Sequence, residues 1–172
     1  NEKKIKEIDL ENTENVAFIK DSYLQYNRVD PNKRFENFIT SSCNKLAFEA
    51  STKITENNSQ YNPLYIYGGV GMGKTHLLNA IAWESKARHP ERKILFLSAV
   101  RFMSSFVEAV KSKDTISFKK IFSDVDLLLI DDMQFLQGKS VQQEFCHIFN
   151  ALDTSKHQIV IAGDSAPSKL EM

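Results

Sequence analysis

Residues 68–75 read Gly-Gly-Val-Gly-Met-Gly-Lys-Thr, the spacing G-x-x-x-x-G-K-[ST]. A chain that wraps a phosphate must turn successive backbone N–H groups inward. The positive-φ conformations this requires are free of strain only for glycine. Gly69, Gly71 and Gly73 are the cradle on this reading, and a helix starting just after Gly73 would aim its N-terminal N–H groups and dipole at the anion. Lys74 stands where an ammonium reaches the β- and γ-phosphates, and Thr75 where a hydroxyl ligates Mg²⁺. The motif specifies a nucleoside triphosphate without choosing between ATP and GTP.

Such a loop needs a carboxylate on a neighbouring strand. Leu127-Leu128-Leu129-Ile130-Asp131-Asp132 places two acids after an apolar run, at the end of a strand where open parallel sheets bind ligands. Asp131 is the metal-side carboxylate, acting through water because Mg²⁺ keeps much of its hydration. Asp132 is the candidate for orienting or deprotonating the attacking water. Asp164 follows Ile159-Val160-Ile161-Ala162-Gly163 in the same manner. It is read either as a sensor of the γ-phosphate or as an acid opening a turn before Pro167.

The elements that must hold these residues are legible as alternating patterns. Apolar runs at Leu64–Tyr67, Ile94–Leu97, Leu127–Ile130 and Ile159–Ala162 have strand length and no polar alternation, as expected for a parallel sheet covered on both faces. Between them, helical spacing recurs: Cys43, Leu46, Ala47 and Ala50; Met103, Phe106, Val107 and Val110; Phe118, Ile121, Phe122 and Val125; Phe145, Ile148, Phe149 and Leu152. The helix after the glycine loop turns Leu77, Leu78, Ile81 and Ala82 inward. The class is α/β with one parallel sheet flanked by helices.

Composition sets the outer bounds. With 172 residues, 42% hydrophobic and 26% charged, the chain suits one domain with or without a tail, and is not collagen-like, disulfide-stapled or wholly disordered. Its 22 basic and 22 acidic side chains argue against a dominant nucleic-acid footprint. Two cysteines make no framework, so a reducing, cytoplasmic setting is expected, with Cys43 and Cys146 as small core hydrophobes. The four histidines lack zinc-site spacing. Trp83 and the phenylalanines read as packing residues, and Lys119-Lys120 as a solvated face. Residues 1–30 read as a linker or tail and 31–172 as the nucleotide-binding domain.

Taken together, the stretch Tyr61-Asn62-Pro63-Leu64-Tyr65-Ile66-Tyr67 running into the glycine loop and His76-Leu77-Leu78, the segment Asp126–Phe135, and Gln143–Leu152 resemble the bacterial chromosomal replication initiators, which are AAA+ ATPases. Phe35-Glu36-Asn37-Phe38 is similar to the F-x-N-F stretch that opens their ATPase domain. The resemblance covers about Pro31 to Lys169. It implies a P-loop NTPase (AAA+) fold, ATP and Mg²⁺ as cofactors, and an ATP-switched role in opening the replication origin. It makes Asp132 the second acid of the Walker B pair and Asp164 the sensor 1 residue. It also implies weak Mg²⁺-dependent hydrolysis in the whole protein, an ATP-dependent filament, and single-stranded DNA contacts at Met103 and Lys139. Duplex origin DNA, a replicative helicase or its loader, and acidic phospholipid are the other implied partners. Val141 departs from the family, which often has arginine there, and an apolar side chain cannot neutralise phosphate. Against the family pattern, a chain ending at Met172 is expected to lack the last strand, the arginine finger, the lid and the duplex-reading domain. An AAA+ helicase loader or regulator of the initiator is the alternative function.

Overall fold

The computed structural model describes residues 29–56, 60–152 and 156–166. Of residues 1–30, read as a linker or tail, 1–28 lie outside them. Val29 is fully buried and the Asp30 backbone N–H is bonded to Asn79, so the fold is already under way before Pro31.

Four strands form one parallel sheet: β1 (Leu64–Tyr67), β2 (Ile94–Ser98), β3 (Leu127–Asp131) and β4 (Gln158–Gly163). Their spatial order is β1-β4-β3-β2, so β1 is an edge strand among the described residues. The helices are α1 (Lys45–Ile54), α2 (Lys74–Arg88), α3 (Ala99–Lys111), α4 (Thr115–Ser123) and α5 (Lys139–Ala151). Single 3-10 turns sit at Phe35–Asn37 and Met133–Phe135.

Each strand matches its apolar run because side chains alternate faces and both faces are covered. Leu95, Leu97, Leu128, Ile130, Ile159 and Ile161 point into one core with α3, α4 and α5. Ile94, Phe96, Leu127, Leu129, Val160 and Ala162 point into the other with α1 and α2. In the first core Phe102, Phe118, Phe122 and Phe145 form a cluster, with Phe118 and Phe122 5.2 Å apart edge to face. Burying such a ring stabilises the fold by about 1.5–3 kcal/mol. Caps fix two helix starts: Ser98 Oγ accepts from the Arg101 N–H, and the Asp114 carboxylate from the Ser117 N–H.

The helical stripes of α4 and α5 largely bury as expected: Phe118, Phe122, Val125, Phe145, Ile148 and Leu152 are in the core, and Ile121 and Phe149 are partly buried against it. Two others are corrected. In α3 the buried residues are Ala99, Phe102, Ser105 and Ala109, with Met103 and Phe106 at the margin, whereas Val107 and Val110 face solvent. In α1, Leu46 is exposed and Ala50, Ser51 and Ile54 are buried. Cys43 precedes the helix and is exposed, and Cys146 is only half-buried, so neither is a core hydrophobe. Lys119 is not simply solvated: its Nζ lies 3.2 Å from the Glu144 carboxylate on α5.

Candidate functional site

The glycine loop leaves the carboxyl end of β1 and enters α2 at Lys74. Two of its glycines have backbones closed to other residues without strain: Gly71 at φ 78° and Gly73 at φ 91°. At Gly73 a Cβ would also stand 2.8 Å from the Phe38 ring. Gly69 differs, since a Cβ there would meet nothing within 4 Å. The first N–H of the loop, on Gly68, donates to the Gly163 carbonyl at 3.3 Å and joins the loop to the end of β4.

Lys74 folds back over the loop, its Nζ donating to the carbonyls of Gly68 (2.5 Å) and Gly69 (2.8 Å). Thr75 Oγ1 donates to Asp131 Oδ2 at 2.7 Å, bringing the two expected metal-side groups together across 56 residues of sequence. The other Asp131 oxygen accepts the Asp132 N–H at 2.8 Å. Burial raises the Asp131 carboxyl above the ordinary carboxylate range, and the nearby Asp132 adds to that. The Thr75 and Asp132 hydrogen bonds and the Lys74 charge pull the other way. A hydroxyl and a carboxylate side by side are hard oxygen donors, which fit Mg²⁺. Asp132 adopts the left-handed conformation, φ 54° and ψ 44°, a region that aspartate and asparagine enter more readily than other non-glycine residues. Asp164 is exposed, one residue past the end of β4.

The two nucleic-acid candidates also come together. Met103 is half-buried on α3, and its Sδ accepts the Gln137 N–H at 3.3 Å, two residues before exposed Lys139 opens α5. Val141 is 8% exposed and belongs to the core under α5, so its side chain is spent on packing.

One part of the site was missed in the sequence reading: a strap, Val29–Phe38, lying over α2. The Asn79 carboxamide, 2% exposed, accepts the Asp30 N–H through Oδ1 and donates through Nδ2 to the Thr75 carbonyl, both at 2.7 Å. Trp83 Nε1 donates to the Asp30 carbonyl, and the Arg34 guanidinium lies 4.2 Å over the Trp83 ring. His76 Nε2 contacts the Arg34 carbonyl at 2.7 Å, and Phe38 closes on Gly73. The available signal was Asn79 itself, a polar residue inside the apolar run Leu77-Leu78-Asn79-Ala80-Ile81.

A parallel sheet of this order, with a glycine loop after β1 and paired acids after β3, defines a P-loop NTPase of the AAA+ class. The model of the family described as the bacterial DnaA ATPase domain matches residues 29–172, and the chain belongs to that family. Chromosomal replication initiator protein DnaA of Jannaschia sp. (strain CCS1) is 51% identical over 146 residues, 84% of this chain and 31% of that protein. The chain therefore spans about a third of the length of such relatives. Among solved structures, a replication initiator DnaA bound to AMPPCP and single-stranded DNA superposes with TM-score 0.77 at 44% identity, over 83% of this chain and 45% of that one. Domain III of the Thermotoga maritima replication initiation protein DnaA gives TM-score 0.78 at 39% identity, over 83% and 60%. Among the described residues, no helix is long and apolar enough to cross a membrane.

Proposed function

We propose that this chain is the ATP-binding switch domain of a replication initiator that assembles on the chromosomal origin and melts it. The observation that carries the reading is the Thr75–Asp131 hydrogen bond beneath a loop whose Gly71 and Gly73 are held at positive φ. On this reading the backbone N–H groups of Gly69, Gly71 and Gly73 cradle the phosphates. Lys74 exchanges the Gly68 and Gly69 carbonyls for phosphate oxygens, replacing one set of charge-assisted hydrogen bonds by another. Thr75 and Asp131 are the residues that would hold Mg²⁺. The metal, when bound, supplies neutralisation of charge between the β- and γ-phosphates. Asp132 orients or deprotonates the attacking water, and Asp164 senses the γ-phosphate. With the arginine finger supplied between subunits, as the family resemblance implies, the isolated chain binds nucleotide and hydrolyses it weakly.

A relative solved with AMPPCP and single-stranded DNA supports both ligands for this chain. Single-stranded DNA would lie along α3 and the start of α5, on Met103 and Lys139. Val141 is buried and adds no charge, so the positive charge a strand would meet there is that of Lys139 at the start of α5 and of exposed Arg101 on α3. An ATP-dependent filament, duplex origin DNA read through a separate domain, a replicative helicase or its loader, acidic phospholipid and a cytoplasmic location complete the proposal. The relatives at 51% and 44% identity carry the name of the initiator, which separates this reading from the helicase-loader alternative.

Equilibrium binding of ATP and GTP, each with and without Mg²⁺, tests it. ATP binding that exceeds GTP binding and tightens with the metal is expected. Binding that ignores the metal, or no binding at all, overturns the assignment of the site.

A further inference from the structure

The turn that carries Asp164 is held by a residue no motif assigns. Tyr65, in the middle of β1, pairs with Ile161 of β4, two residues before Gly163. Its hydroxyl passes Gly163 and donates to the Ser165 carbonyl at 3.2 Å. The passage is tight. A Cβ on Gly163 would stand 2.7 Å from the Tyr65 oxygen, but 3.5 Å from the ring carbon bearing it and 3.5 Å from Met133 Cβ. Gly163 has no positive φ, so its lack of a side chain answers to this hydroxyl and not to backbone conformation. The carbonyl of Gly163 meanwhile accepts the Gly68 N–H, and Met133 follows the acidic pair at the end of β3. One phenol thus touches the turn at the point where the glycine loop, the acidic strand end and Asp164 converge. Burial, with the Asp164 charge beside it, pushes the phenol above its ordinary pKa and keeps the donor proton in place.

We propose that Tyr65 is a positioning residue: its hydroxyl, bonded to the Ser165 carbonyl across a glycine that leaves room for it, fixes the turn that presents Asp164 to the γ-phosphate. The inference rests on the sensing role given above to Asp164. It predicts discrimination between ATP and ADP, not nucleotide binding as such, because ADP lacks the group Asp164 reads.

Mg²⁺-dependent affinities for ATP and ADP, measured on the full chain, test it. Tyr65→Phe removes one neutral hydrogen bond and should lower the ATP-over-ADP preference about five-fold, leaving ADP affinity unchanged. Asp164→Asn should lower the same preference. If it does not, the sensing role fails and the positioning role falls with it. If Asp164→Asn lowers the preference and Tyr65→Phe keeps the wild-type value, the Tyr65 assignment alone is overturned. A second comparison reads the contact directly. Gly163→Ala should lower the preference in the wild-type background and have little effect in Tyr65→Phe, where its nearest neighbours are at ordinary van der Waals distance. Equal effects in the two backgrounds would refute the proposed passage.

Discussion

The proposed nucleotide site has two walls built on opposite principles. The loop wall, from Gly68 to Lys74, works through backbone: left-handed glycines, and carbonyls of Gly68 and Gly69 that hold the Lys74 ammonium. The wall at the ends of β3 and β4 works through side chains: a buried carboxylate, a hydroxyl bonded to it, a left-handed Asp132 and a phenol that spans a turn. A wall of backbone tolerates substitution only where a Cβ has room and φ is ordinary. A wall of buried polar side chains stores cost in desolvation and can gain stability when its charge is removed.

Substitutions sharpen this contrast, the largest effect first. Lys74→Ala should weaken ATP binding roughly a hundred-fold, as expected for losing charged hydrogen bonds of about 1.5–3 kcal/mol, while the chain still folds with a urea midpoint lowered by loss of the Gly68 and Gly69 contacts. Equal affinities in equilibrium titration would remove the phosphate role of the loop. Gly73→Ala should destabilise the chain by about 2–3 kcal/mol, from positive φ plus contact with the Phe38 ring, and adding Phe38→Ala should recover part of the loss. Urea melts of the single and double variants decide this.

Asp131→Asn should do the reverse on the other wall. The folded-state pKa of Asp131 is raised, so the group favours the folded chain when protonated, and that contribution is lost as pH rises through the raised value. The neutral amide escapes the loss. In the absence of nucleotide the variant should therefore melt at higher urea than wild type near pH 7, and the gap should close below the ordinary carboxylate range. Mg²⁺ should no longer tighten its nucleotide binding. A lower midpoint at pH 7 would show that the hydrogen bonds outweigh burial. The smallest effect belongs to Gly69→Ala, within about 0.5 kcal/mol, because its Cβ enters open space. A loss as large as that of Gly73→Ala would end the distinction between the two glycines.

The same contrast explains what could be read in advance. Strands were legible because a strand covered on both faces needs apolar residues at successive positions, and each of the four runs lies within an observed strand. The loop was legible because its chemistry is written in residue identity at fixed spacing. The inner face of α3 was not. Val107 and Val110 extend an apolar spacing around the helix, while Ser105 and Ala109 face inward because small residues allow α3 close approach. Periodicity counts apolar residues and is blind to the size that packing selects. The pairing of Thr75 with Asp131 was inferred from the motif's needs. The strap and the Tyr65 contact were hidden, since neither a carboxamide reaching two backbones nor a phenol crossing a glycine has a fixed spacing.

Asn79 gives that strap a mechanical meaning. Its one amide group holds the Asp30 N–H on one side and the Thr75 carbonyl on the other. The strap's backbone and the residue whose hydroxyl faces Asp131 are therefore joined through one buried side chain. The leash and the catch share a single rivet.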